Sequence, residues 1–289
     1  LTIGSIASSL RDAVDLTKPR LSTFVVFTAA MGLWLAPGEL GAARGAFILV
    51  AIGMLVGAAN ILNCWLERET DALMHRTRNR PLPAGRVDPW SAFALGVGVA
   101  AFALPLLALA ANPLTALLGL AALAAYVLAY TPLKRFTPWA LEVGAIPGAI
   151  PPLMGWAAAT GSLEPQAWTL FGILFFWQLP HFIGIAIWLQ DDYSRGGIRV
   201  LPVVRGARVA TRYLFAYASA LVATSLTPAA FGMTGRSYPW IAAGLGAALL
   251  LLAASGFRET AGRSWARRTF LFSLLYLAAL LLALVLDAR

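Results

Sequence analysis

The chain has 289 residues, 60% of them hydrophobic and only 12% charged, with a mean hydropathy of +0.75. Soluble domains carry about 25% charged residues, so this composition excludes an ordinary water-soluble globule and fits a polytopic all-α membrane protein. A single cysteine, Cys64, excludes an intrachain disulfide framework and a four-cysteine zinc site, while the net charge of +9 must be placed along the chain before it means anything.

The opening stretch carries Arg11, Lys18 and Arg20 ahead of a first apolar segment that many others follow, which is not the form of a cleaved signal peptide. Nine candidate spans follow, at 21–36, 45–66, 90–111, 113–130, 139–159, 168–190, 210–229, 238–256 and 270–286. Each comes near the roughly 20 residues needed to cross a bilayer core. The third and fourth meet at Asn112-Pro113 with almost no loop and are expected to form a tight antiparallel pair. The fifth contains Pro147, Pro151 and Pro152 and is expected to be interrupted.

The connections hold no soluble domain, so residues 1–289 read as one transmembrane domain. Its two long connections, 67–89 and 191–209, fall on the same side. With the N-terminus in the cytoplasm, 19 of the 22 Lys and Arg residues lie on the cytoplasmic side, and only Arg44, Arg236 and Arg289 on the other. The positive-inside rule therefore predicts N-in, C-out, and the basic charge becomes a topology signal, not a nucleic-acid footprint.

Polar residues then gather at two corners. Asn60, Asn63, Glu67 and Asp71 recur at spacings of three and four, which predicts a helix running past the hydrocarbon edge with a polar stripe on one face. Buried amides need hydrogen-bond partners and carboxylates at a membrane edge need cations. Magnesium suits hard oxygen ligands and bridges acids to phosphate. Glu69 lies off this face and reads as surface. Arg76, Arg78 and Arg80 follow, donors matched to phosphate oxygens, and acids followed by arginines are what a metal–diphosphate complex requires.

The second corner, after the sixth span, has Asp191 and Asp192 followed by Tyr193 and Arg195, and is expected to face the first across the bundle. Within that span Gln178 and His181 stand three apart. An intramembrane histidine could ligate haem iron, orient a substrate or move a proton. Lys134 and Arg135 form a third, cationic corner. Trp65, Tyr126, Tyr130, Trp177 and Phe182 are candidate lining aromatics, able to face a carbocation without capturing it.

The runs NCWLERETDALMHRTRNRPLP (63–83), YTPLKRFTPW (130–139), GAIPPLMGW (148–156) and WQLPHFIGIAIWLQDDY (177–193), with LPVVRG after it, together resemble the protohaem IX farnesyltransferases. These are the haem O synthases of the intramembrane aromatic prenyltransferase superfamily. The resemblance covers nearly the whole chain. It implies nine transmembrane helices around a central cavity open to the cytoplasmic side, in the cell inner membrane. The activity implied is Mg2+-dependent transfer of the farnesyl group of farnesyl diphosphate to the 2-vinyl group of haem B, with addition of water, giving haem O and diphosphate.

On this resemblance the metal ligands fall on Asn63, Glu67, Asp71, Asp191 and Asp192, and the catalytic positions on Asn60, Asn63, Asp71, Arg76, Arg80 and His181. Substrate binding falls to Arg76, Arg80 and His181, and the basic cytoplasmic rim adds Lys134, Arg135 or an arginine of loop 191–212 as candidates for the haem propionates. Haem A synthase or the terminal-oxidase assembly machinery would be the protein partners. Two positions depart from the pattern: Glu67 stands where Asp is common, and Ala140 where many relatives have Asn, with Glu142 nearby. The alternatives are a related prenyltransferase acting on a quinone or chlorophyll precursor and, from the proline-rich span and Gly53-x-x-x-Gly57, a transporter.

Overall fold

Proline marks where many of these helices begin. At the first or second helical position its missing N–H leaves no bond unmade and its fixed φ already suits the helix. The computed structural model describes the backbone of residues 3–288 and the side chains of residues 10–288. Arg289, counted above on the far side, lies outside the described residues.

The helices in chain order are α1 (Ile3–Leu16), α2 (Pro19–Leu35), α3 (Ala42–Leu73), α4 (Pro89–Ala110), α5 (Pro113–Leu133) and α6 (Ala140–Thr160). They continue with α7 (Pro165–Trp188), α8 (Gln190–Arg195), α9 (Leu201–Arg205), α10 (Ala207–Ala230), α11 (Tyr238–Phe257) and α12 (Arg263–Leu286). No strand occurs among the described residues. Asp88 caps α4 by accepting from Ser91 N at 2.8 Å, and Asn112 caps α5 by accepting from Thr115 N at 2.9 Å. The Asn112 amide also donates to Ala157 O at 2.7 Å, which ties the tight α4–α5 corner to the end of α6.

Every predicted apolar segment lies on a helix. Seven of these helices (α3, α4, α5, α7, α10, α11 and α12) are long and apolar enough to cross a membrane, and α2 is an apolar helix of 17 residues. The chain is accordingly a multi-pass membrane protein.

Two expectations change. Residues 3–16, read as a plain leading segment, form α1. Its Leu16 is buried with Ile61, Cys64 and Leu82, and its Asp12 accepts from Arg86 Nε at 3.0 Å. The proline-rich span is not interrupted: α6 runs unbroken for 21 residues through Pro147, Pro151 and Pro152.

Close helix packing accounts for this continuity. A Cβ on Gly155 would stand 1.9 Å from Ala29 O, and one on Gly32 would stand 2.0 Å from Pro152 O, so α2 and α6 cross backbone against backbone. Small residues permit that approach within a membrane, and neighbouring helices then hold a proline helix in shape.

The α2–α6 pair separates two packed regions, one built on α3 and α4 and the other on α7, α10 and α12. Beside α3, α4 and α6, α5 passes through a π-helical turn at Ala125–Tyr130, where Thr131 Oγ1 donates to Tyr126 O at 2.8 Å. Such turns re-aim side chains, and this one precedes the third cationic corner.

Candidate active site

The polar stripe on α3 lines a cavity of about 660 Å3 enclosed by α2, α3, α5, α6 and α7. The continuous 32-residue helix carries Asn60, Asn63, Glu67 and Asp71 past the apolar region on one face, as their spacing predicts. Asn60 donates to Thr17 O at 3.2 Å and Ser22 Oγ at 3.1 Å, and Asn63 donates to Thr131 Oγ1 at 3.0 Å.

One oxygen on each of Asn63, Glu67 and Asp71 meets a cation. Lys18 Nζ donates to Asn63 Oδ1 at 2.5 Å, Lys134 Nζ to Glu67 Oε1 at 2.8 Å, and Arg80 Nη1 to Asp71 Oδ2 at 2.7 Å. Burial alone would lower the Lys134 ammonium, but Tyr130 and Glu67 beside it raise it above the ordinary lysine value. The same balance, with Asp71 as partner, raises Arg80.

Lys134 also lies over the Tyr130 ring, 4.2 Å from its centroid. Lys18 has a φ of 51°, left-handed backbone that a lysine adopts at a cost of roughly 1–2 kcal/mol. Strain of this kind concentrates at functional sites, and here it accompanies an ammonium directed at Asn63.

Arg76 and Arg80 line the cavity mouth and Arg78 is exposed outside it. Residues 74–86 form successive turns, so Arg76 and Arg80 are brought together by the loop.

The second acidic corner differs from expectation. Helix α7 ends at Trp188, and α8 turns Asp191 outward to Arg263 at 2.7 Å, both side chains being about 60% exposed. Asp192 is buried, but it accepts from His75 N at 2.9 Å and Arg195 Nη2 at 3.0 Å, and so clamps the arginine loop from behind. Neither acid lines the cavity, and no three His, Cys, Asp or Glu side chains gather as a metal site among the described residues. The expected cluster of four facing carboxylates is therefore not formed. Tyr193 and Arg199 face the cavity from this corner instead.

Burial would raise the Asp192 carboxyl, but Arg195 and the His75 N–H hold it below the usual carboxylate range. Its contribution to stability is thus complete above the ordinary carboxylate value and is lost as pH falls through the depressed one. Asp192→Asn should remove that acid-limb dependence in thermal unfolding of the detergent-solubilised protein, and Asp191→Asn should leave it unchanged.

Two further candidates lie off the cavity. Arg135 is exposed and donates to Leu66 O at 3.3 Å, while Trp65 packs on Phe93 with ring centroids 4.7 Å apart. Tyr126, Tyr130, Trp177 and Phe182 do line it, as does His181, on whose imidazole Trp177 stacks at 4.6 Å. Glu142 lies outside the cavity and accepts from Tyr217 OH at 2.7 Å.

Lys18 and Ser273, which bonds His181, were not among the expected site residues. Ser273 had a faint signal as a lone hydroxyl in an apolar run; Lys18 had only its charge.

A helical membrane bundle with an apolar, aromatic-walled cavity, and with acids and cations at one mouth, defines an intramembrane site for a substrate with a greasy body and an ionic head. The chain belongs to the UbiA prenyltransferase family, whose pattern it matches over residues 25–283. It is 54% identical over 285 residues to the protoheme IX farnesyltransferase of Anaeromyxobacter sp. (strain Fw109-5), covering 98% of this chain and 96% of that relative. It is 48% identical over 283 residues to the protein of the same name from Myxococcus xanthus (strain DK1622), covering 98% and 96%.

Among solved structures, a digeranylgeranylglyceryl phosphate synthase superposes with a TM-score of 0.82 at 16% identity, covering 97% of this chain and 98% of that one. A UbiA homolog from Archaeoglobus fulgidus bound to GPP and Mg2+ superposes with a TM-score of 0.70 at 16% identity, covering 95% and 99%. At such identities the structures establish a shared fold.

Proposed function

We propose that the chain transfers the farnesyl group of farnesyl diphosphate to the 2-vinyl group of haem B, with addition of water, giving haem O and diphosphate. The observation that carries this reading is the division of the cavity. Its mouth alternates Glu67 and Asp71 with Lys18, Arg76, Arg80 and Lys134, and its interior is apolar and aromatic. Full-length identity to protoheme IX farnesyltransferases supports the choice of substrates.

The donor set at the mouth fits magnesium. Asn63, Glu67 and Asp71 present hard oxygens on one helix face, and the partners those oxygens have are all cations. We assign the metal to these three, with Asp192 holding the loop and Asp191 at the surface. When bound, magnesium neutralises charge on the departing diphosphate.

The chain's own residues do the rest. Arg76 and Arg80 donate to diphosphate oxygens, where charge appears as the allylic C–O bond breaks. The walls formed by Tyr126, Tyr130, Trp177 and Phe182 keep water from the allylic cation and face it with π density. Lys134 and Arg199 at the mouth suit the haem propionates.

In this reading the single domain has nine spans, with the N-terminus cytoplasmic, the C-terminus outside and the mouth on the cytoplasmic face of the cell inner membrane. Its product would pass to haem A synthase or the terminal-oxidase assembly machinery. Incubation of the purified protein with magnesium, farnesyl diphosphate and haem B should yield haem O by mass. Prenylation of a hydroxybenzoate with no haem O would favour the quinone-precursor reading, and substrate translocation without diphosphate release would favour a transporter.

Asp191→Ala should change turnover less than about fivefold, because an exposed ion pair is worth under ~1 kcal/mol. Asp192→Ala, by freeing the arginine loop, should raise KM for farnesyl diphosphate. Comparable steady-state constants for the two variants would argue against the loop-clamp role.

A further inference from the structure

The reaction proposed above ends on a cation that must take up one water, in a cavity whose walls exclude water. Inside that cavity, away from its charged mouth, stand two polar side chains on α7, Gln178 and His181, three residues apart and therefore on one face. The hydrogen bonds around them fix which atoms remain free.

The Gln178 amide nitrogen donates to Leu174 O at 3.0 Å and Ala145 O at 3.3 Å. Carbonyl oxygens only accept, so both amide protons are committed and Oε1 is left as the free acceptor. Ser273 Oγ donates its one proton to Phe270 O at 2.7 Å. With that proton on Phe270 O, the 2.8 Å contact with His181 Nδ1 is assigned as Nδ1–H donating to the serine oxygen. The imidazole is thereby held as the Nδ1–H tautomer, with a lone pair on Nε2.

Neither Gln178 Oε1 nor His181 Nε2 has a hydrogen-bond partner among the described residues, and neither is sealed from the cavity. Trp177 fixes the arrangement by donating to Ser273 O at 2.7 Å while it stacks on the imidazole, which also meets Phe270 at 4.8 Å between ring centroids. Glycine at 148 leaves room for the Gln178 carboxamide, since a Cβ there would lie 2.0 Å from Oε1.

We propose that Gln178 Oε1 and His181 Nε2 hold the water that quenches the cation, that His181 is the base, and that Ser273 is a positioning residue that sets its tautomer. Two acceptors take the two protons of one water and turn its lone pair outward into the cavity. Once the terminal vinyl carbon has bonded to the farnesyl group, positive charge rests on the vinyl carbon next to the porphyrin ring. The water oxygen forms its bond to that carbon, one O–H bond breaks, and the proton passes to His181 Nε2. The resulting imidazolium sits against aromatic faces, which stabilise a cation, and it returns the proton to solvent after the product leaves. The inference rests on the farnesyl-transfer reading.

The test is the ratio of the hydroxylated product to the alkene, lighter by one water, that forms if the cation loses a proton instead. His181→Ala and Gln178→Leu should each shift that ratio toward the alkene by about tenfold or more. Ser273→Ala should shift it less, and Ser273→Thr, which keeps the hydroxyl, should restore it.

A wild-type ratio in both α7 variants would overturn the proposal. So would loss of haem binding, followed by absorbance, or of diphosphate release in His181→Ala, since either places His181 before water arrives. If that variant does not fold, the Ser273 pair decides: a shift in Ala reversed in Thr supports the proposal, and an unchanged ratio overturns it. Failure of the wild-type protein to prenylate haem at all would instead defeat the reading on which the inference rests.

Discussion

Asp71→Asn is expected to lower farnesyl transfer by roughly 10²–10³-fold while the protein still inserts and folds. The carboxylate is only 6% exposed, lies at the cavity mouth and is paired with Arg80 at 2.7 Å. Asparagine keeps its shape and removes its charge, so the change strikes both the magnesium proposed for this face and the arginine proposed for the diphosphate. Truncating one partner of a buried pair also leaves the other charge unmatched, and the variant should therefore bind diphosphate in an altered pose as well as turn over slowly. Steady-state release of diphosphate and formation of haem O measure the loss; near-normal rates would remove Asp71 from the site. Glu67→Asp, which draws the carboxylate back from Lys134 by one methylene, should cost far less, under about tenfold, because the charge is retained.

Gly155→Ala is expected to have the largest effect on folding. A single methyl would stand 1.9 Å from Ala29 O and 2.7 Å from Leu33 N, and both obstacles are backbone, so no rotamer change relieves the clash. Over-packing commonly costs about 1–3 kcal/mol, and a backbone-to-backbone crossing belongs at or above the top of that range. Prising α2 from α6 would also displace Lys18 at the start of α2 and the cavity wall on α6. Yield and thermal midpoint of the detergent-solubilised protein should both fall. Gly98→Ala in α4, with open space around the added carbon, is the matched control and should be neutral or slightly stabilising. Equal stabilities for the two variants would show that the crossing yields more easily than its geometry implies.

The elements most legible in the sequence obey local rules. Long apolar runs located the helices, and the three-and-four spacing of Asn60, Asn63, Glu67 and Asp71 foretold a helix continuing beyond the apolar region with its polar face aligned. Depth and direction were harder. Asp191 and Asp192 are adjacent in sequence, yet a break at Leu189 sends one to the surface and the other into the back of a loop. No periodicity reports such a turn.

Proline content suggested an interrupted α6, but the close packing that keeps it whole depends on its own Gly155 and on Gly32 in a helix more than a hundred residues away. Lys18 meets Asn63 across 45 residues and His181 meets Ser273 across 92, distances over which a single sequence carries no pairing signal. Trp65 and Tyr126 looked equivalent as aromatics in spans, and only the packing of Trp65 on Phe93 separates them.

The acids of the cavity mouth do not sit on a loop. They are the last turns of α3, a continuous run of 32 residues and about 48 Å of rise that begins at the opposite end of the bundle, where Arg44 donates to Ala110 O. The height of Glu67 and Asp71 above the hydrocarbon is therefore set by a residue count. A bilayer thicker or thinner than that count is met chiefly by tilting the helix, and the same tilt moves the carboxylates relative to Lys134 and Arg80. Lipid chain length thus becomes a variable of the chemistry: turnover in vesicles of graded acyl length should pass through an optimum, with the membrane acting as a gauge block for the catalytic mouth.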